Sequence, residues 1–282
     1  MDRPREAELW HARFPNVCLA TGRQGQAVGG TLWNLVTVGK DVADTNLFYR
    51  GGIQYFPLYL YKTKPKNTLF DKITLEGSAD RSANISIAFI KAFSEKITMQ
   101  SIPDGKGDLQ QNFGPEDIFN YMYAIFHSPT YRKRYAEFLK VDFPRLPLTS
   151  NVELFRELCM LGDRLVKLHL MEVVAASLPS YPAKGDNLVD GVRYTEPGQG
   201  WEQGRVWINK AQYFEGVSPE IWSFFVGGYQ VCQKWLKDRK GRTLSYEDIE
   251  HYQQIVAALA ETNRLMQQID DVIDTHGGWP IM

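Results

Sequence analysis

Phe113-Gly114-Pro115-Glu116-Asp117-Ile118-Phe119 opens a stretch that runs through His127-Ser128-Pro129-Thr130-Tyr131-Arg132-Lys133-Arg134-Tyr135 and closes on Asp142-Phe143-Pro144-Arg145-Leu146-Pro147. Pro115 suits a first helical position, and Glu116 and Asp117 in the first turn complement the helix dipole. Ile118, Tyr121, Met122, Ile125 and Phe126 follow at spacings of three and four, which predicts a helix to about Ser128. Pro129 starts a second short helix to about Val141. Pro144 and Pro147 lack N–H donors, so residues 143–147 form an extended strap. Tyr131 and Tyr135, four apart, put both rings on one helical face. They are expected to pack the two helices against Phe143 and Leu146 and to turn Arg132 and Arg134 outward, with Tyr135 a core ring.

The flanks differ in kind. Residues 17–24 read as a short strand ending at a polar tip, 33–38 alternate as a strand does, and 53–61 form an aromatic strand that Pro57 places at an edge or bulge. Lys62, Lys64 and Lys66 alternate with Thr63, Pro65 and Asn67 as an exposed basic loop. Residues 84–97 read as a helix and 101–114, rich in Gly and Asp, as a loop. Downstream, leucines at 154, 158, 161, 165 and 168 make a heptad-like seam over a helix at 151–176. Residues 189–195 and 204–209 read as a β-hairpin. Ser218-Pro219-Glu220 caps a helix to about Asp238 with an interruption at Gly227-Gly228. Ser245, with Asp248 three residues on, caps a helix to about Thr275, some 45 Å long at 1.5 Å per residue. The class is α+β: a small mixed β-sheet portion with helices, then a helical portion with long paired helices and a β-hairpin. The expected divisions are a β-rich part at 1–114, a two-helix connector with its strap at 115–149, and a helical part at 150–282.

The 282 residues are 44% apolar and 23% charged, which excludes a collagen-like or disordered chain. The net charge of −1 excludes a uniformly basic coat. The charge is unevenly placed, however: net +4 over residues 1–100, 0 over 101–150 and −5 over 151–282. Two basic knots stand out. One is Arg132-Lys133-Arg134; the other is Lys234, Lys237, Arg239, Lys240 and Arg242 against Asp238 alone. Each reads either as a helix end complementing its dipole or as an anion-binding group. Cys18, Cys159 and Cys232 are too scattered for a disulfide framework or a zinc site. No apolar run approaches the ~20 residues that span a bilayer. The first fifteen residues mix both charge signs, so no signal peptide is expected. The expected location is the cytoplasm.

Much catalytic chemistry is missing. Lys40 and Lys106, each after a glycine, are followed by Asp41 and Gly107, so there is no phosphate loop. There is no Gly-x-Ser-x-Gly elbow and no His-Glu-x-x-His. The five histidines show no ligand spacing, and no two prolines are adjacent, which removes the Pro-Pro motif of adenine N6-methyltransferases. Asp238-Arg239-Lys240 is half of a nuclease motif without a near partner. No cofactor and no metal are expected, and a binding module is favoured over an enzyme.

Three blocks carry a resemblance. Residues 16–24 with Phe56-Pro57-Leu58-Tyr59-Leu60-Tyr61 form the first, the stretch from Phe113 to Pro147 the second, and Gly227-Gly228-Tyr229 with Lys234-Trp235-Leu236-Lys237-Asp238-Arg239-Lys240 the third. In this order, from about residue 13 to 275, the chain resembles the C-terminal specificity region of Type ISP restriction-modification enzymes and related single-chain restriction-methyltransferases. The resemblance implies an adenine N6-methyltransferase domain upstream, on the same or an associated chain, often with a motor and a nuclease. It implies target recognition on double-stranded DNA for this region and carries over no catalytic residue. On that reading Arg23 and Gln24, at the tip of a strand, are the candidates for base readout, since Arg suits guanine and Gln adenine. Lys62, Lys64, Lys66, Arg132, Lys133, Arg134, Lys237, Arg239, Lys240 and Arg242 are the candidate phosphate contacts. Should Arg23 and Gln24 belong to the scaffold, the reading loop is expected within 62–82, then 196–204. Two other readings stand beside it. One is a helical scaffold that docks a methyltransferase or motor through an apolar stripe on 154–168 or 249–273. The other is a hydrolase built on His127, Asp142 and a serine.

Overall fold

The computed structural model describes residues 11–12, 14–23, 32–41, 43, 46–48, 52–62, 81–173, 177–198, 200 and 202–282. The elements in order are β1 (Cys18–Gly22), β2 (Val36–Gly39), β3 (Ile53–Pro57), β4 (Tyr59–Tyr61), β5 (Arg81–Ala83), α1 (Ile87–Ile97), β6 (Gln100–Ser101), β7 (Asn112–Phe113), α2 (Pro115–His127), α3 (Pro129–Arg134), α4 (Ala136–Val141) and α5 (Val152–His169). They continue as β8 (Arg193–Thr195), β9 (Arg205–Trp207), β10 (Tyr213–Glu215), α6 (Pro219–Trp222), β11 (Phe225–Val226), β12 (Tyr229–Gln230), α7 (Val231–Lys237) and α8 (Tyr246–Thr275). The class is α+β, as the sequence indicates.

β1 is central in the order β2-β1-β3, antiparallel on both sides, with Ala20 opposite Thr37 and Tyr55. All five of its residues are buried, as a central strand covered on both faces requires. The break at Leu58 separates β3 from β4, which pairs with β5. Pro57, expected at an edge or bulge, is the last residue of β3, which is an edge strand of its sheet.

α2 and α5 form the centre of the molecule. A Cβ at Gly162 would lie 1.9 Å from the Asn120 carbonyl oxygen, so the two backbones touch. The Cys159 thiol donates to Asp117 O at 3.3 Å along the same contact. Around it, Phe93, Phe113, Tyr121 and Phe155 pack as a ring cluster with centroids 5.1–5.9 Å apart. Trp33, fully buried, donates Nε1–H to Gly22 O at 2.8 Å and meets Phe126 edge-on, which joins the β1 sheet to this centre.

A second core gathers Val206, Phe214, Cys232, Leu236, Tyr252 and Val256. Tyr252, Val256 and Leu259 of α8 belong to it, while Ala258, Leu265, Ile269 and Ile273 belong to the first core. One helix therefore serves both. Its start is fixed by a capping box: the Ser245 hydroxyl accepts from Asp248 N at 3.1 Å and Asp248 accepts from Ser245 N at 3.1 Å.

Three expectations need correction. The helix foreseen at 129–141 is two, α3 and α4, parted at Tyr135, whose φ of −103° and ψ of 19° leave helical geometry. The helix foreseen from Ser218 to Asp238 is α6, then the β11–β12 hairpin, then α7. Gly227 has a φ of +59°, and a Cβ there would lie 2.7 Å from Phe48, whose carbonyl accepts from Gly228 N. That close approach needs a left-handed turn, which no helix supplies. The hairpin at 189–209 gains a third strand, β10, because Asn209 Oδ1 accepts from Ala211 N and Gln212 N and turns the chain back.

Buried polar groups tie the three long helices. The Tyr123 hydroxyl donates to His169 Nδ1 at 2.6 Å, and His169 Nε2 lies 2.9 Å from Thr262 Oγ1. The Thr262 hydroxyl proton goes to Ala258 O, so His169 must donate from Nε2 and accept at Nδ1. The imidazole is thus held neutral, and burial pushes its pKa down to about 4.

Two outcomes follow from this packing. Gly162→Ala gains about 1 kcal/mol of helix propensity, yet its methyl meets backbone that cannot yield. A net loss of at least about 3 kcal/mol in urea denaturation is expected. For His169, the unfolded chain binds a proton near pH 6.5 and the folded chain only near 4. Stability is therefore full above about pH 6.5 and falls as the pH drops toward 4. Between pH 7 and pH 5 this one group removes about 2 kcal/mol, and His169→Gln is expected to flatten that slope in the same titration.

Candidate nucleic-acid interface

Arg23 follows β1 and is half-buried, its guanidinium 5.5 Å from the Phe143 ring of the strap. The tip of the central strand thus rests on the strap that the prolines hold open. The strap itself is fixed by hydroxyls: Tyr121 donates to Pro147 O and Tyr131 to Arg145 O, at 2.9 and 2.8 Å. Gln24, Lys64 and Lys66 lie outside the described residues, and Lys62 is exposed at the end of β4.

The first basic knot is divided. Lys133 and Arg134 are exposed and take part in no ion pair among the described residues. Arg132, expected to face outward, is only 8% exposed. Its Nε–H donates to Phe126 O at 2.7 Å and its guanidinium lies over Trp33. The physical reason is helical phase. Ser128, Tyr131 and Arg132 fall at i, i+3 and i+4, one face of the turn, and Ser128 is bound to Asp270 of α8. Tyr131 is the core ring, while Tyr135 is half-buried against Tyr131 and Trp279.

The second knot is divided too. Lys234 pairs with Asp238, and Arg239 stacks on Trp235 at 3.4 Å and reaches Asp248 at 3.4 Å. Lys237, Lys240 and Arg242 are exposed, with no ion pair among the described residues. Thr130, beside the first knot, binds Asp270, and Arg239 binds Asp248. Both anchors are on α8, 22 residues apart in number, so the knots dock about 33 Å apart along it.

One largely buried layer of a sheet, with Thr195, Arg205 and Trp207 all buried, escaped the sequence reading. On the β8–β9–β10 sheet, Arg193 pairs across to Trp207 and Trp207 to Tyr213, while Thr195, Arg205 and Glu215 align two residues along. Arg193 lies 4.8 Å from the Trp207 ring and Arg205 4.2 Å from Tyr213. The other face carries Val206 and Phe214 into the second core. The period-two alternation of Arg205-Val206-Trp207-Ile208 is the signal that marks it.

The hydrolase constellation does not assemble. His127 donates Nδ1–H to Tyr123 O, and Asp142 accepts from Phe143 N and pairs with Arg145. Among the described residues no group of three or more His, Cys, Asp or Glu could hold a metal ion, and no helix is long and apolar enough to cross a membrane.

The model of the Type ISP C-terminal specificity domain matches residues 1–268, and the chain belongs to that family. Comparison with curated proteins yields no match. Solved structures share the fold. The chain is similar to a cryoEM structure of a DrdV–DNA complex, at 20% identity and a TM-score of 0.62, covering 92% of this chain and 24% of that one. It is similar to the ATP-dependent Type ISP restriction-modification enzyme LlaBIII bound to DNA, at 18% identity and 0.59, covering 95% and 16%. It is also similar to a nuclease-deletion mutant of the Type ISP enzyme LlaGI in complex with a DNA substrate mimic, at 17% and 0.53, covering 95% and 22%. The chain therefore spans less than a quarter of the length of each of these proteins.

The strap geometry orders two substitutions. Tyr131→Ala removes a buried ring and leaves Arg145 N and O without their hydroxyl partner, for an expected loss of about 3–5 kcal/mol. Tyr135→Ala, half-buried, is expected to cost clearly less. Chemical denaturation of both variants checks the order.

Proposed function

We propose that this chain reads a sequence in double-stranded DNA as the specificity portion of a restriction-modification enzyme of the adenine N6-methyltransferase type, and has no chemistry of its own. The observation that carries this is the family match over residues 1–268. Three neighbours of the same fold whose structures hold DNA or a DNA mimic support it. The methyltransferase domain, on the same or an associated chain, is the second partner.

In this reading Lys133, Arg134, Lys237, Lys240 and Arg242 meet phosphates, and so does Lys62, which stands past the opposite end of β1 from Arg23 because Gly22 pairs with Ile53 and Cys18 with Pro57. They are exposed and form no ion pair among the described residues, which leaves their charge available. The ~33 Å between the knots' anchors on α8 compares with the ~34–36 Å turn of a duplex. Arg239 orients the knot from its stack on Trp235 and its pair with Asp248. Arg23 reads a base, held between the buried β1 and Phe143, since a reading group must be kept in register. Gln24, Lys64 and Lys66 remain part of the proposal through their place in sequence. The scaffold reading needs an exposed apolar stripe. Leu154, Leu158, Leu165 and Leu168 are buried, as are Tyr252, Val256, Leu265 and Ile269 on α8, so it finds no support.

Binding to random and selected duplexes over a salt series tests the proposal. Alanine at Lys133, Arg134, Lys237, Lys240 and Arg242 is expected to weaken all duplexes alike and to lower the salt slope by roughly one unit for each phosphate-binding cation removed. Arg23→Ala is expected to cost about 1–3 kcal/mol on the preferred duplex and almost nothing on random DNA. Equal weakening on both would make Arg23 a phosphate clamp. No preference for any duplex, in the chain or in its complex with a methyltransferase, would overturn sequence reading.

A further inference from the structure

Arg132 is a buried cation without a counter-anion in bonding distance among the described residues. One of its five N–H groups is taken by Phe126 O. The other four find no acceptor among the described residues. Among the described residues, Asp270 is the carboxylate whose charge acts on it. That carboxylate is already engaged by the Ser128 hydroxyl on Oδ1 and by Thr130 N–H and hydroxyl on Oδ2, and it forms no ion pair with Arg132. Its free N–H groups are not sealed from solvent, and they need water or an anion to meet them.

Arg132 lines a cavity of about 170 Å³ that opens between α2, α5, α8, β2 and the β11 turn. That is several times the ~30 Å³ share of one water. His127 and Thr37 line the same cavity, with Val226, Ala258 and Leu259 as its apolar walls. His127 gives its Nδ1 proton to Tyr123 O at 2.8 Å, so its Nε2 is left to accept. Full burial and the nearby Arg132 charge hold this imidazole neutral. The lining thus offers a fixed cation whose fork suits a tetrahedral or planar oxyanion, an acceptor nitrogen and a hydroxyl.

We propose that this cavity is a binding site for a small phosphate that retains an ionisable hydroxyl, either inorganic phosphate or a compact phosphate monoester. Its oxygens accept from Arg132, and its hydroxyl donates to His127. A backbone phosphodiester has no such hydroxyl, so the site is separate from the exposed cations assigned to DNA. It stands whether or not the DNA reading does.

The test is thermal unfolding of the whole chain at pH 6.0, where a phosphate monoester with its second pKa at ~6 still carries its hydroxyl, with inorganic phosphate against sodium chloride at equal ionic strength. Methyl phosphate and dimethyl phosphate are run in parallel. Phosphate and methyl phosphate are expected to raise Tm by at least about 2 °C at saturation, and dimethyl phosphate by much less. Response to inorganic phosphate alone points to the free ion, and response to both to a monoester. Arg132→Gln is expected to abolish the shift. Since that substitution can weaken the fold, Ala258→Leu provides a second variant: it fills the cavity and keeps the guanidinium. It is expected to remain folded and lose the phosphate shift. A shift no greater than with chloride, an equal shift with dimethyl phosphate, or an undiminished shift in Ala258→Leu would overturn the site.

Discussion

The contact of Gly162 with the Asn120 carbonyl sets the distance between α2 and α5, and most of the molecule is arranged around that distance. With a side chain at 162 the helices would stand farther apart. Phe155 could not then reach both Phe93 and Tyr121, nor could His169 reach both the Tyr123 hydroxyl and Thr262. Interiors are close-packed, so a displacement at one contact is felt at each of these. The β1 sheet depends on the same pair, because Trp33 reaches it through Phe126.

α8 converts this local geometry into a long one. One end is held by Ser245 and Asp248, and its N-terminal half lies in the second core. Asp270 near the other end takes up the start of α3. The chain end is tied back as well: Thr149 and Ser150 donate to Met282 O, and His276 lies between Asn151 and Glu157. A helix gripped at several points along ~45 Å acts as a ruler. The basic groups docked on it inherit fixed separations that flexible loops would not give.

The sequence showed its long-range order better than its local turns. The Ser245 cap and the run to Thr275 were readable because one capping box and one periodic pattern act within a single element. The strap was readable because proline excludes helix on its own. Arg132 was misread because charge is a weaker guide than helical phase: a cation beside Tyr131 on the face of Ser128 goes inward with them. The β11–β12 hairpin was not legible, since its cause is the backbone of Phe48, some 180 residues away in sequence. Among the candidate phosphate contacts, the sequence could not separate cations that are held from cations that are exposed. Lys234 and Lys237 are three residues apart on one short helix, yet only the first has its carboxylate. The aromatic and basic face of the β8–β9–β10 sheet was missed because its third strand is set by the turn at Asn209.

The frame also fixes where β4 and β5 hold the two ends of the stretch between them. Residues 63–80 leave from β4 and return to β5, which pair antiparallel with Tyr61 opposite Arg81. Directly opposed residues sit about 4.5–5.5 Å apart, so both ends of that segment are fixed close together. Arg81 is anchored twice, by Asp104 at 2.7 Å and by the Tyr59 ring at 3.7 Å. Tyr59 in turn accepts from Gly105 N through its hydroxyl. The base of the segment is therefore tied to the loop that leads into α2, the helix whose spacing from α5 Gly162 sets. A substitution at that helix contact would move the base of the segment and the tip of β1 together. On this frame, Arg23, the proposed base reader, and the segment within 62–82 that is its proposed alternative would respond to one distant packing contact without touching it.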